Sequence, residues 1–277
     1  DLHYPLRRQR QMCIRDSNGG ILPKQENIQV LFKYQPADRI LREIYAGIGK
    51  TVRSVEAKSV RKGEKQVIAV YSPWNHRLRT PFALTAAEQL SAGKKVLYLN
   101  FSICNGFCKS MGLEPDVDMG DLFYLLREDE EALLAKLKSG IYPLGSYQII
   151  PPPSNPEHYM EWRKGEVRHF LEILLEKTDF EVLVLDMGCV MNGFFEVLDL
   201  CGRIWILKEH RTSKDSGIEE LRELLEKFKA GLEERVEEVF LPGGQAWRED
   251  GTIQVEEFYM GEVGNCVRRL LGGEYAS

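Results

Sequence analysis

Short apolar runs alternate with amphipathic stretches along the chain, and from Gln66 onward the alternation is regular. Residues 67–71 read as a strand, 81–92 as a helix, and 96–99 as a second strand entered from the Gly93-Lys94-Lys95 turn. A helix over 121–139 follows, then a short strand at 147–150 closed by three prolines, a helix over 167–177 and a strongly apolar strand at 182–186. The pattern continues with a helix over 193–200, a strand at 204–208, a charged helix over 218–229 and a strand near 236–241. Residues 258–260 predict an edge strand and 263–271 a last helix. Strands that are apolar throughout, separated by helices, must be covered on both faces. The expected fold is therefore α/β, a mostly parallel doubly wound sheet. Ligands of such sheets sit beyond the carboxyl ends of the strands.

The chain ahead of this pattern differs in character. Residues 1–20 open with DLHYPLRRQRQMCIRDS, which is Arg-rich and has neither helical nor strand periodicity. The string QMCIRDS resembles read-through of sequencing-adapter DNA, so the segment is set aside as a non-native or disordered tail. The rival reading is a basic arm touching acidic lipid or nucleic acid. Within 21–50, IQVLF and the helical run 37–45, with Ile40, Leu41 and Ile44 on one face, resemble the last strand and helix of a receiver-like domain. One strand and one helix cannot bury a core alone, so Lys33 reads as a solvated linker residue rather than a switch lysine. Residues 51–65 are polar and basic and read as a linker, leaving 66–277 as the main domain.

Composition narrows the choice. The 277 residues are 43% hydrophobic and 29% charged, ordinary for a globular chain. A net charge of −5 gives no reason to expect nucleic acid. No apolar run approaches the roughly 18–20 residues of a spanning helix, and no signal-peptide core is visible, which predicts a cytoplasmic protein. The six cysteines are scattered; Cys104 and Cys108 stand four apart without a second pair, so neither zinc nor an iron–sulfur cluster is expected.

The chemistry concentrates between the strands at 67–71 and 96–99, where a phosphate-binding loop would sit. Laid over G-x-x-x-x-G-K-[ST], the first Gly is Pro73, the second Leu78, the Lys is Arg79, and only Thr80 survives. Glycines let successive backbone N–H groups turn toward an anion. Pro73 has no N–H, Leu78 blocks close approach, and the planar fork of Arg79 is no isostere of a Lys ammonium. Pro81 removes a further amide from the helix start. Thr80-Pro81 reads equally well as plain helix chemistry, with Thr as N-cap and Pro at the first helical position.

SPWNHRLRT, the VLYLN strand, the VLVLD strand and the closing GEVGNCVRRLL together resemble the MinD/ParA-type branch of the P-loop ATPases. Within that branch the look is nearest to the CpaE/TadZ-like proteins of Tad-type pilus systems. The resemblance implies a P-loop ATPase fold with ATP held by the segment Asn75, His76, Arg77, Leu78, Arg79, Thr80 and Pro81, and Mg²⁺ by Thr80 and Asp186. It also implies departures. Trp74 replaces a signature Lys that reaches across an ATP-sandwich dimer. Asn100 replaces an Asp that orients water and metal, so no catalytic residue is assigned. The expectation is a degenerate ATPase-fold protein acting as an assembly or localisation factor for a pilus or secretion machine. It would form a homodimer, contact protein partners through Trp74 and Asn75, and associate at most peripherally with the membrane. The alternative is an active ATPase with an atypical loop using Arg79, Thr80 and Asp186; a third reading is a signalling adaptor. His76 reads as solvated, the 218–238 stretch as a solvated helix face, Tyr275 as too isolated for a tyrosine cluster, and VRRLL as too short to bind membrane.

Overall fold

The computed structural model describes residues 65–103, 106–209, 215–241, 244 and 248–272, all within the compact unit Val55–Ser277. The tail, the receiver-like strand and helix with Lys33, the linker up to residue 64, Cys104 and Tyr275 lie outside the described residues. The strands are β1 (Gln66–Tyr71), β2 (Val96–Phe101), β3 (Tyr142–Leu144), β4 (Tyr147–Ile150), β5 (Val182–Met187), β6 (Arg203–Lys208) and β7 (Val236–Phe240). They form one sheet in the order β3-β4-β2-β5-β1-β6-β7, parallel except for the β3–β4 hairpin. The helices are α1 (Arg79–Leu90), α2 (Phe107–Ser110), α3 (Met119–Glu128), α4 (Glu130–Gly140), α5 (His158–Glu161), α6 (Glu166–Lys177), α7 (Phe194–Leu200), α8 (Ser216–Phe228), α9 (Val255–Met260) and α10 (Glu262–Leu270).

The central strands are buried along almost their whole length, which is why their sequences do not alternate. Two apolar clusters flank the sheet. One packs α3, α4, α6, α7 and α8 against it; the other packs α1, with α9 and α10 outside it. Because α1 lies between the sheet and α9–α10, every residue of it except Glu88 is buried. Register then positions the site. Asp186 of β5 pairs with Val70 of β1 on one side and Asn100 of β2 on the other. Side chains alternate across a strand, so Tyr98, Asn100 and Asp186 share the α1 face at the carboxyl end of the sheet.

Several elements depart from the sequence expectation. The helix expected over 121–139 is two: Asp129 turns extended (φ −159°), ends α3, and caps α4 by accepting from the Glu131 N–H. The start of α3 is fixed by a capping box in which Asp118 and Asp121 each accept from the other's N–H. The edge strand expected at 258–260 is instead part of α9. Val255 and Phe258, three apart, pack on the α1 cluster, and Glu256 and Glu257 occupy the first turn where acidic side chains favour a helix. Missed altogether were α2, α5 and β3. The β3–β4 hairpin turns through Gly145 at φ +60°, a conformation only glycine adopts cheaply.

Trp162 anchors the first cluster. It is 2% exposed, stacks on Phe123 at 4.0 Å, and meets Phe101 and Tyr159 edge-on. Trp162→Ala is expected to lower the unfolding free energy by about 3–5 kcal/mol in urea titration, with no change in the denaturant slope.

Candidate functional site

At the carboxyl end of the sheet a single guanidinium ties strand β5 to the loops after β1 and β2. Arg79 opens α1. Its Nε donates to Asp186 Oδ1 at 2.5 Å, its Nη1 to Asn75 Oδ1 at 2.5 Å, and its Nη2 to Ser102 Oγ at 2.8 Å. The side chains of this ion pair are 7% and 0% exposed. Burial alone would lower the pKa of Arg79, but attraction and hydrogen bonding from Asp186 more than reverse that, and the charge is held. Space for the fork comes from Gly188: a Cβ there would lie 2.0 Å from Ser102 Oγ and 2.5 Å from Arg79 Nη2. Asn75 reaches Arg79 from φ +51°, a region Asn tolerates better than most residues.

The second oxygen of Asp186 is equally occupied. Oδ2 accepts from Thr80 Oγ1 at 2.7 Å, from Tyr98 OH at 2.8 Å and from Asn100 Nδ2 at 3.4 Å. Burial and the neighbouring Asp186 push the Tyr98 phenol well above its ordinary range, so it stays a donor. Asn100 also donates to Tyr98 OH at 3.0 Å. A carboxylate at position 100 would face Asp186 across this gap and repel it; the amide supplies a donor instead.

The loop itself is closed by internal bonds. The N–H of Asn75 donates to Ser72 O, that of His76 to Ser72 Oγ, that of Leu78 to His76 Nδ1, and that of Arg79 to His76 O. His76 is buried rather than solvated. Since Nδ1 accepts from Leu78, Nε2 carries the hydrogen and donates to Leu241 O at 3.0 Å, after β7. Leu78 is buried in the α1 cluster near Gly244. Leu78, not Thr80, stands at the N-cap, without a side-chain bond, so Thr80 and Pro81 are the second and third helical residues. There the missing N–H of Pro81 costs no helical bond, because first-turn amides have no intrahelical partner.

Trp74 and Arg77 remain at the surface. Trp74 is 63% exposed; its indole N–H donates to the Asp215 carboxylate, which caps α8, and its ring lies over Gly217. Beside it a hollow of about 160 Å³ is lined by Ser72, Asn75, His76, Arg77 and Glu209. That is below the ~300–1,000 Å³ typical of small-molecule pockets. The structure thus gathers Asn75, Arg79, Thr80, Asn100 and Asp186 into one network and keeps Trp74 and Arg77 outside it. Sequence reasoning missed Ser72, Tyr98, Ser102 and Gly188. Tyr98, two residues before Asn100 on the same face of β2, and Ser102, just after the strand ends, were signalled only by that spacing.

No protein-family model matches the chain, and no curated protein matches it. Solved structures do. The MinD in the MinC:MinD cell division complex of Aquifex aeolicus aligns over 75% of this chain and 96% of its own, at 14% identity and TM-score 0.54. A ParA family ATPase from Chlorobium tepidum TLS aligns over 75% and 81%, at 16% identity and TM-score 0.51. The fold is that of the ParA/MinD P-loop ATPases. A third structure of this fold, cobyrinic acid a,c-diamide synthase from Mycobacterium smegmatis with bound ATP analog and magnesium, aligns over 76% and 98%, at 14% identity and TM-score 0.51.

A triphosphate and its metal do not fit this ParA/MinD-fold loop as it stands. Four loop amides are engaged within the loop, the Arg79 fork fills the cradle beside Gly188, and both Asp186 oxygens already accept hydrogen bonds. The two partners of the ion pair are buried together and depend on each other. Arg79→Met and Asp186→Leu are each expected to cost about 3–5 kcal/mol, because each leaves a buried charge without its partner. The double substitution is expected to cost well under the sum, and chemical-denaturation double-mutant cycles measure the difference.

Proposed function

We propose that this chain is a degenerate ParA/MinD-fold module that works by binding other proteins rather than by hydrolysing ATP. Its role would be that of an assembly or localisation factor of the CpaE/TadZ type, for a Tad-like pilus or secretion machine. The observation that carries this reading is the Arg79 guanidinium bonded to Asn75, Ser102 and Asp186, where the family loop presents a Lys to phosphate. Supporting it, Trp74 stands exposed on the same rim, and an exposed Trp is a frequent interface anchor. One neighbour of this fold is a MinD in complex with MinC. A homodimer or a partner would meet the rim at Trp74 and Asn75. The protein would act in the cytoplasm or at the inner face of the membrane; among the described residues no helix is long and apolar enough to cross one.

One contact favours a second reading, an active ATPase with an unusual loop. The Thr80 hydroxyl and the Asp186 carboxylate lie 2.7 Å apart, close enough to share a metal ion if Arg79 swung away.

Isothermal titration of the full chain with ATP and Mg²⁺ separates the two. No heat of binding is expected up to about 1 mM nucleotide, a ceiling of roughly 4 kcal/mol of affinity. Low-micromolar binding that is lost in Arg79→Ala and kept in Arg79→Lys would establish the ATPase reading instead.

A further inference from the structure

Away from the carboxyl rim, residues of α3, α4 and α5 line a hollow of about 410 Å³, within the ~300–1,000 Å³ typical of small-molecule sites. Its walls include Tyr124 and Arg127 of α3, Lys136 of α4, His158 and Glu161 of α5, and Trp162 just beyond. The Trp162 ring is buried there, while Tyr124 is 65% exposed.

His158 is placed in this wall by a glycine. A Cβ on Gly120 would lie 2.2 Å from His158 Nδ1, so the imidazole rests where only a glycine leaves room. That nitrogen is buried and has no hydrogen-bond partner among the described residues. A buried N–H without an acceptor is rarer than a buried lone pair without a donor. The ring hydrogen therefore belongs on Nε2, which is not sealed and donates to no protein group among the described residues.

Charges of both signs surround the hollow. Arg127 donates from Nε and Nη2 to the two oxygens of Glu166, at 2.9 Å each, and from Nη2 to the Glu161 carbonyl at 2.8 Å, so its charge is matched. Asp121 accepts the Asp118 N–H in the capping box of α3. The Lys136 ammonium and the Glu161 carboxylate are left, and among the described residues neither is in a salt bridge. An anion would be drawn to the first and repelled by the second, and a cation the reverse. A small zwitterion suits both.

We propose that this hollow binds a zwitterion with an aromatic side chain, of the class of the aromatic α-amino acids. The ligand carboxylate would meet Lys136, Arg127 Nη1 and the His158 Nε2–H; its ammonium would meet Glu161; its ring would lie against Tyr124 and Trp162. The site goes beyond the partner-binding reading and shares no residue with the Arg79–Asp186 network, so the nucleotide titration and the experiment below fail independently.

The test is isothermal titration of the full chain with L-phenylalanine, beside phenylacetate, which lacks the ammonium, phenethylamine, which lacks the carboxylate, and alanine, which lacks the ring. L-Phenylalanine is expected to bind with a Kd of about 0.1–1 mM, and each of the other three about tenfold more weakly or not at all. Glu161→Gln should weaken L-phenylalanine about fivefold to tenfold and leave phenylacetate unchanged; Lys136→Gln should weaken it similarly and leave phenethylamine unchanged. Gly120→Ala, which displaces the imidazole without removing a charge, should weaken L-phenylalanine as well. Lys136 and Glu161 are exposed, so those two variants remain informative if Gly120→Ala fails to fold, and thermal melts check all three. Absence of L-phenylalanine binding, equal binding of any of the other three compounds, or indifference to Lys136→Gln and Glu161→Gln would overturn the proposal.

Discussion

The carboxyl end of this sheet is organised around one fully buried carboxylate whose two oxygens both have to find donors. Asp186 is fixed there by its register with Val70 and Asn100, at the middle of a seven-stranded sheet. An ionised carboxylate out of water must be matched by donors, since the cost of desolvation is several kcal/mol. Every neighbour complies: a guanidinium, two hydroxyls and an amide point at it. Arg79 reaches Asp186 directly and brings two further contacts, and the Asn100 amide adds a donor where a carboxylate would repel. The result is a network complete in itself.

The loop shows the same economy in its backbone. A phosphate loop aims its amides at a space between the strand and the helix; here Ser72 and His76 draw them inward. His76 then carries the restraint across the molecule through Leu241, so that the loop after β1 and the chain after β7 hold each other. The fold is that of the ParA/MinD ATPases, and a fold does not by itself assign a function.

The parallel strands were legible because, buried on both faces, they leave continuous apolar runs such as VLVLD and VLYL; the antiparallel edge strand β3 was not. At the loop, Pro73, Leu78 and Arg79 could be compared with the P-loop pattern residue by residue. What escaped was set by partners far away in sequence. The burial of His76 depends on a carbonyl 165 residues away. The Asp129 break was hidden because leucines keep helical spacing on both sides of it. The three residues at 258–260 are too few to fix a period, and only their docking on α1 decides for helix. That Gly188 leaves room for a guanidinium is visible only in three dimensions.

The enclosure of α1 has a mechanical consequence. This helix has the sheet against one side and α9–α10 against the other, and Gln89 within it bonds the Gly264 carbonyl of α10. With Arg79 in its first turn and Gln89 near its last, it joins the site rim to the carboxy-terminal helix pair through one continuous element.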